Sequence, residues 1–242
     1  MNEIAIKLEN VTKSFTFKNK NLESRLSNIF SRSQKTKIMA LDNITLDIKK
    51  GEVVAVIGRN GSGKTTLLRT IAGIYGPDSG NIVINGTIAP LLHIGTGFHE
   101  ELDSKENILM SGLLMGIKKD EIIQKTNDII EYAELKKFAG MKLKHYSTGM
   151  RARLAFSLAL QMNPDIFLVD EILAVGDIKF QEKSFNSFIS FKEKNKTIVL
   201  VTHNIGPQLK IADRVILMDK GKIIMIGDTD HVVKKYIEQY QD

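Results

Sequence analysis

The 242-residue chain contains no cysteine, which excludes disulfide bonds and thiol chemistry and suits a protein of the cytosol. No apolar run reaches the roughly 18 residues that a membrane span requires. The first residues, MNEIAIKLEN, lack the basic and apolar regions of a secretory signal. With 43% hydrophobic and 26% charged residues, the composition predicts an ordered globular protein that buries a real core.

The net charge of +6 is concentrated in one short segment. Between Lys18 and Lys37 there are six basic residues and one acid, Glu23, so this stretch alone carries +5. The remainder is almost balanced, which argues against a nucleic-acid-binding surface. We interpret residues 18–38 as a basic insertion, which is either a loop packed on its own domain or a contact with a membrane partner or anionic headgroups. A short apolar face would lie on it at helical spacing: Leu22, Leu26, Ile29 and Phe30.

The patterns along the chain predict a strand over residues 3–17, two strands in ALDNITLDIKKGEVVAVIG, and a helix from about Gly63 to Ala72. Residues 104–160 follow a helical period, and a short helix is expected from Asp230 to Tyr240. The apolar segments PDIFLVDE and KTIVLVTH are typical of a parallel sheet covered on both faces. The helical period predicts that one face carries Ile108, Leu109, Leu113 and Leu114, and another carries Ile122, Ile123, Ile129 and Ile130.

The sequence GRNGSGKT, from Gly58 to Thr65, is a phosphate-binding loop because it follows a strand and precedes a helix. Its glycines let backbone N–H groups surround phosphates, and the helix N-terminus adds a positive dipole end. Lys64 supplies a charge for the β- and γ-phosphates, and the Thr65 hydroxyl is a ligand for Mg²⁺. The predicted ATP-binding residues here are Gly58, Arg59, Asn60, Gly61, Ser62, Gly63, Lys64, Thr65 and Thr66.

Two acids lie at the end of the buried strand IFLVD: Asp170 is its last residue and Glu171 follows it. They turn predicted binding into predicted hydrolysis. Asp170 is the second candidate ligand for Mg²⁺, and Glu171 is the candidate for polarising the attacking water. The alternative is that both acids merely end a strand. His203 follows the strand TIVLVT, where open α/β sheets bind their ligands, so it is either a γ-phosphate contact or a structural histidine.

The segment HYSTGMRARLAF offers a second anion site, since Ser147 and Gly149 place a hydroxyl and close backbone at a helix N-terminus. With Thr148, this segment resembles the signature motif of ABC-transporter ATPases, and its position before the Asp170 strand agrees with that family. The segments DEILAVGDIKFQEKS and LLHIGTGFHEELDSKEN and the basic insertion resemble the branch that exports capsule, O-antigen and teichoic acid.

The resemblance covers essentially the whole chain and implies the fold of an ABC ATPase: a P-loop NTPase with a mostly parallel core sheet, an antiparallel β subdomain and a helical subdomain. It implies a single domain whose parts are the antiparallel β region with residues 1–50, the nucleotide-binding core with 51–100 and 160–228, the helical subdomain with 101–159, and a C-terminal helix with 229–242. It also implies a site shared by two copies of the chain, in which Ser147, Thr148, Gly149 and Asp177 meet the nucleotide of the opposite copy.

Two positions of the family pattern stay open. The family stacks adenine on an aromatic residue after the first strand, where Phe15 fits and Phe17 is a rival; either could instead be core. The family's usual glutamine is missing, because no Gln occurs between Gln34 and Gln124. The stretch from His93 to Glu101 takes its place.

The expected function is that of an ATPase at the cytoplasmic face of the membrane. It would bind ATP and Mg²⁺, form a homodimer, and drive a separate membrane permease that exports a lipid-linked polysaccharide or polyol phosphate. The alternatives are the ATPase of an importer and a non-transport ABC protein acting on nucleic acid. The signature YSTGM and the missing glutamine argue against the importer. The lack of a second cassette in this sequence argues against the non-transport protein.

Overall fold

The computed structural model describes residues 3–18, 35–92, 97–161, 163–170, 176–203 and 205–240. The strands are β1 (Ile4–Lys18), β2 (Lys35–Lys49), β3 (Val53–Ile57), β4 (Ser79–Ile84), β5 (Ile88–Leu91), β6 (Ile166–Asp170), β7 (Thr197–Val201), β8 (Arg214–Asp219) and β9 (Lys222–Gly227). The helices are α1 (Lys64–Ile71), α2 (Ser104–Leu114), α3 (Lys119–Tyr132), α4 (Thr148–Leu160), α5 (Ile178–Glu193) and α6 (Thr229–Tyr240).

The strands form two sheets. The larger has the order β5-β6-β7-β3-β8-β9, and its strands are parallel except for the antiparallel β8–β9 hairpin. The smaller is antiparallel, with the order β2-β1-β4. This arrangement confirms the predicted fold class, a mostly parallel α/β core with an antiparallel β part and a helical part.

Both faces of the larger sheet are covered, as the continuous apolar runs predict. In β3, Val53, Ala55 and Ile57 face a cluster with residues of α4, α5 and α6, while Val54 and Val56 face the smaller sheet and α1. Alternate residues of a strand point to opposite faces, so a strand buried on both sides must be apolar throughout. The sheet is therefore the buried centre of the molecule, and the phosphate loop follows the carboxyl end of its strand β3.

The two strands that flank the basic insertion extend into it. β1 continues to Lys18 and β2 begins at Lys35, where the two residues pair. Residues 35–38 therefore belong to a strand, because the antiparallel ladder continues through these polar positions. The predicted apolar face from Leu22 to Phe30 lies outside the described residues.

The helical part has its own core around Ile108, Ile122 and Ile129. The prediction that Leu113 and Leu114 share the buried face of α2 is wrong, because these side chains are 47% and 78% exposed. Ile123 is also exposed, whereas its neighbour Ile122 is buried. At Gly112 α2 packs against α3, because an added Cβ there would lie 2.7 Å from Ile122. The next two positions are rotated by about 100° and 200° around the helix and turn away from this contact. Within the described ranges, no helix has the length and apolar character needed to cross a membrane.

Candidate functional site

The phosphate loop connects the buried strand β3 to α1, as predicted. Gly58 and Gly63 have φ angles of 152° and 105°, which side chains rarely adopt. A Cβ added to Gly58 would lie 2.2 Å from the carbonyl oxygen of Met218. A Cβ added to Gly63 would lie 2.4 Å from the carbonyl oxygen of Ala40. The loop is thus held between the β8–β9 hairpin and β2, and only glycine fits where the backbones meet.

Lys64 lies inside this loop, and its side chain is nearly buried. Its Nζ donates hydrogen bonds to the carbonyl oxygens of Gly58 at 2.7 Å and Arg59 at 3.0 Å. Ser62 Oγ is also buried and has no hydrogen-bond partner among the described residues. An ammonium group and a buried hydroxyl at the start of α1 suit an anion with several oxygen atoms, since α1 adds its own N–H groups there.

A pocket of about 210 Å³ opens at this loop, lined by Asn60 to Thr66 and by three residues of β2, Ile38, Met39 and Ala40. The β2 residues give the pocket an apolar wall next to its polar loop. Thr65 and Thr66 are half-buried in its lining. The pocket therefore offers phosphate-binding groups and an apolar surface side by side.

Phe15, the predicted adenine-stacking residue, pairs with Ile38 of that wall across β1 and β2. Its ring contacts Tyr75 edge to face, with ring centroids 5.3 Å apart, a contact that no sequence pattern predicts. Phe17 is 56% exposed and has no ring contact among the described residues. Beside Phe15, Asp78 accepts hydrogen bonds from Ser14 and Lys13, which hold its pKa at about 2. The carboxylate stays charged and fixes the end of the loop that precedes β4.

Phe15→Ala should weaken ATP binding at least about fivefold, because a stacked base is worth about 1–3 kcal/mol. Binding of inorganic tripolyphosphate, which has no base, should not change. Phe17→Ala is the matched control and should bind both ligands as the unsubstituted chain does. Calorimetric titrations with the two ligands check this, and an equal loss for both in Phe15→Ala would contradict a stacking role.

The predicted residues on the other strands come to the same sheet edge. β3 pairs with β7, and β7 pairs with β6. His203 therefore follows the strand beside the phosphate-loop strand, and Asp170 ends the next strand along. His203 is exposed and lines a second pocket with Gly58, Arg59 and Asn60. Glu171 lies outside the described residues. The stretch from His93 to Glu101 is described only from Gly97.

The predicted signature residues form a separate group. Ser147 is the N-cap of α4, where its Oγ accepts a hydrogen bond from the Met150 N–H at 3.2 Å. Thr148 is the first residue of that helix and is exposed, as Ser147 is. Ser147, Gly149 and Asp177 line one pocket of about 360 Å³. This pocket shares no residue with the pocket at the phosphate loop.

Asp177 is held in this second group by bonds that sequence analysis missed. Its carboxylate caps α5 by accepting from the Phe180 N–H, and it accepts from Arg153 at 2.6 Å. These contacts lower the pKa of Asp177, with the Phe180 hydrogen bond as the largest cause. Arg153 also pairs with Glu134 and lies over the Phe180 ring. Since Arg153 is in the helix that Ser147 begins, the signature helix and Asp177 are fixed to each other.

The described end of the His93–Glu101 stretch is tied to the same region. The Asn107 side chain accepts from the His99 N–H and donates to three carbonyl oxygens, those of His99, Leu102 and Asp103. Glu100 pairs with Arg151 of α4 at 2.7 Å. Glu101 pairs with Lys142 and Lys144, which lower its pKa. These bonds connect the stretch to the chain that leads into the signature helix.

The fold and the loop define a nucleotide-binding protein of the phosphate-loop class. The sequence profile of the ABC transporter family matches residues 41–174. The chain belongs to this family.

Curated relatives cover nearly the whole chain. The O-antigen export system ATP-binding protein RfbB of Klebsiella pneumoniae is 38% identical over 97% of this chain and 98% of its own length. RfbB of Myxococcus xanthus is 42% identical, and the teichoic acids export ATP-binding protein TagH of Enterococcus faecalis is 39% identical. The chain spans only 56% and 52% of the length of these last two. The resemblance to the export branch is confirmed.

The fold is also that of solved ATP-binding cassettes. The dimeric post-hydrolysis cassette MJ0796, bound to ADP and phosphate, has a TM-score of 0.75 and 26% identity over 93% of this chain and 98% of its own. Its likeness confirms the predicted ABC ATPase fold.

Proposed function

We propose that this chain is the ATP-hydrolysing subunit of an exporter that moves a lipid-linked polysaccharide or polyol phosphate across the cytoplasmic membrane. It works as a dimer on the cytoplasmic face and drives a separate membrane permease. The names of the relatives, O-antigen and teichoic acid export proteins, support the cargo class.

The observation that carries the proposal is the separation of two half-sites within one chain. Lys64 and its loop form a site for phosphates, while Ser147, Gly149 and Asp177 line another pocket that shares none of its residues. Each pocket is incomplete alone: one has Lys64 and a helix N-terminus, and the other has a second helix N-terminus whose nearby cation, Arg153, is already paired with Asp177 and Glu134. Two copies, each presenting its signature pocket to the other's loop, complete both sites.

Each residue has a role in this proposal. Lys64 and the loop N–H groups hold the phosphates, Phe15 contacts adenine, and Glu171 polarises the attacking water with His203 near the γ-phosphate. Thr65 and Asp170 are a hydroxyl and a carboxylate at one edge of the sheet, hard oxygen donors that fit Mg²⁺. The ion would neutralise charge on the phosphates.

The test is depletion of the chain in its own cell, followed by complementation. We expect loss of surface glycan or wall polyol phosphate and accumulation of the lipid-linked precursor inside, both reversed by the unsubstituted chain. Complementation with Lys64→Ala is the matched control and should fail. Normal surface polymer together with lost uptake of a nutrient would instead support an importer.

A further inference from the structure

Helix α6 carries a stripe of side chains that leads from the core to the phosphate loop. Val232, Tyr236 and Tyr240 are spaced by four residues and therefore lie on one face of the helix. Val232 is fully buried in the core, and Tyr236 is also buried. The rings of Tyr236 and Tyr240 are 5.4 Å apart. Ile237, on another face, is 41% exposed.

The stripe ends on Arg59, the second residue of the phosphate loop. The Arg59 guanidinium lies 5.8 Å from the centroid of the Tyr240 ring, within the range of a cation–π contact. Burial raises the pKa of Tyr240, and the Asp219 carboxylate raises it further. The phenol is therefore neutral at physiological pH, so the ring attracts Arg59 through its face. The two tyrosines line a pocket of about 340 Å³ with Gly58, Arg59, Asn60 and His203.

Arg59 links this aromatic pair to the lysine of the loop. The Arg59 carbonyl oxygen accepts a hydrogen bond from Lys64 Nζ at 3.0 Å. The side chain of Arg59 thus contacts α6 while its backbone contacts Lys64. A change in the position of Arg59 alters the surroundings of the ammonium group that meets the phosphates.

We propose that Tyr240, supported by Tyr236, is a positioning residue for the phosphate loop. By holding Arg59, it keeps the loop in the conformation that accepts a triphosphate, so that α6 sets the affinity for nucleotide. The inference deepens the proposed function and rests on it, because it assumes that the loop binds ATP. Preorganisation of this kind lowers the entropic cost of binding and acts on the phosphates, not on the base.

The experiment compares Tyr240→Leu, Tyr240→Phe and the matched control Ile237→Ala by calorimetric titration. Tyr240→Leu keeps an apolar side chain but removes the ring, so its affinity for ATP should fall roughly threefold, as a lost cation–π contact predicts. Its affinity for inorganic tripolyphosphate should fall by the same factor. Tyr240→Phe and Ile237→Ala should bind both ligands unchanged. In turnover assays, Tyr240→Leu should raise KM for ATP and leave kcat unchanged.

A second arm tests whether Tyr240 acts through Arg59. Arg59→Ala should itself weaken binding, and adding Tyr240→Leu to it should cause no further loss. The proposal is overturned if Tyr240→Leu binds ATP normally, if it weakens ATP but not tripolyphosphate, or if its effect is undiminished beside Arg59→Ala. Failure of the proposed function would look different, since the unsubstituted chain would then not bind ATP at all.

Discussion

Lys64→Ala should abolish ATP turnover and weaken ATP binding at least tenfold. The Lys64 side chain is only 6% exposed, and its Nζ is already held inside the loop by the carbonyl oxygens of Gly58 and Arg59. The ammonium is therefore in place before the phosphates arrive, and it needs little reorganisation to meet them. A preorganised charge that stabilises the transition state is worth about 3–4 kcal/mol, or on the order of 100-fold or more in rate.

Lys64→Ala also leaves the two carbonyl oxygens without their donor, so a loss of folding must be separated from a loss of chemistry. Thermal unfolding measures the loss of folding. Calorimetric titration with ATP measures binding, and the rate of phosphate release measures turnover. Lys222→Ala is a suitable control, because Lys222 is an exposed lysine whose charge pairs with Asp42 and whose side chain does not line the pocket at the loop. We expect Lys222→Ala to retain binding and turnover. A folded Lys64→Ala chain with near-normal turnover would remove the phosphate loop from the mechanism.

The phosphate loop could be predicted from the sequence because its chemistry constrains neighbouring residues. The loop between β3 and the start of α1 contains Gly58, Gly63 and Lys64, so the loop itself fixes their spacing in the sequence. The pattern predicts a helix over Gly63 to Ala72, and α1 runs from Lys64 to Ile71. The fully apolar strands likewise predicted a sheet with two covered faces.

The order of the strands could not be read from the sequence. β7 lies between β6 and β3, and this order places His203 one strand and Asp170 two strands from the phosphate loop at the same edge of the sheet. Continuous apolar runs show that a strand is buried on both faces, but every central strand satisfies this condition equally. The pairing is decided by how the whole sheet packs, which no local pattern contains.

The contacts that fix the site residues could not be predicted from the sequence either, because the residues that make them are distant along the chain. Tyr75 meets Phe15 across 60 residues, and Tyr240 meets Arg59 across 181. Arg153 is closer to Asp177, but an arginine almost two turns after Ser147 has no pattern of its own. Such partners provide packing and charge to a site, and many residue types can do so, which is why a sequence pattern indicates candidate reacting groups but not the residues that support them.

Glu171→Gln should still bind ATP but should lower turnover by about 10²–10⁴-fold, because general-base catalysis contributes about that much. Its carboxylate lies outside the described residues, so the prediction rests on its place directly after Asp170 and β6. The amide retains the size of the side chain but cannot accept the proton of the attacking water. ATP that is bound and not hydrolysed should hold the two half-sites together, so the variant should accumulate as a dimer.

Size-exclusion chromatography with and without ATP measures this dimer, and Glu193→Gln, an exposed acid at the end of α5, is the matched control that should behave as the unsubstituted chain. Two further changes identify the groups that hold the dimer. Adding Lys64→Ala should prevent it by removing the nucleotide, and adding Ser147→Arg should prevent it by blocking the signature pocket while leaving ATP bound to the monomer. A Glu171→Gln chain that hydrolyses ATP normally would refute the base. A dimer that survives Ser147→Arg would show that the two copies meet elsewhere, because a site shared between them needs the N-terminus of α4 as much as it needs Lys64.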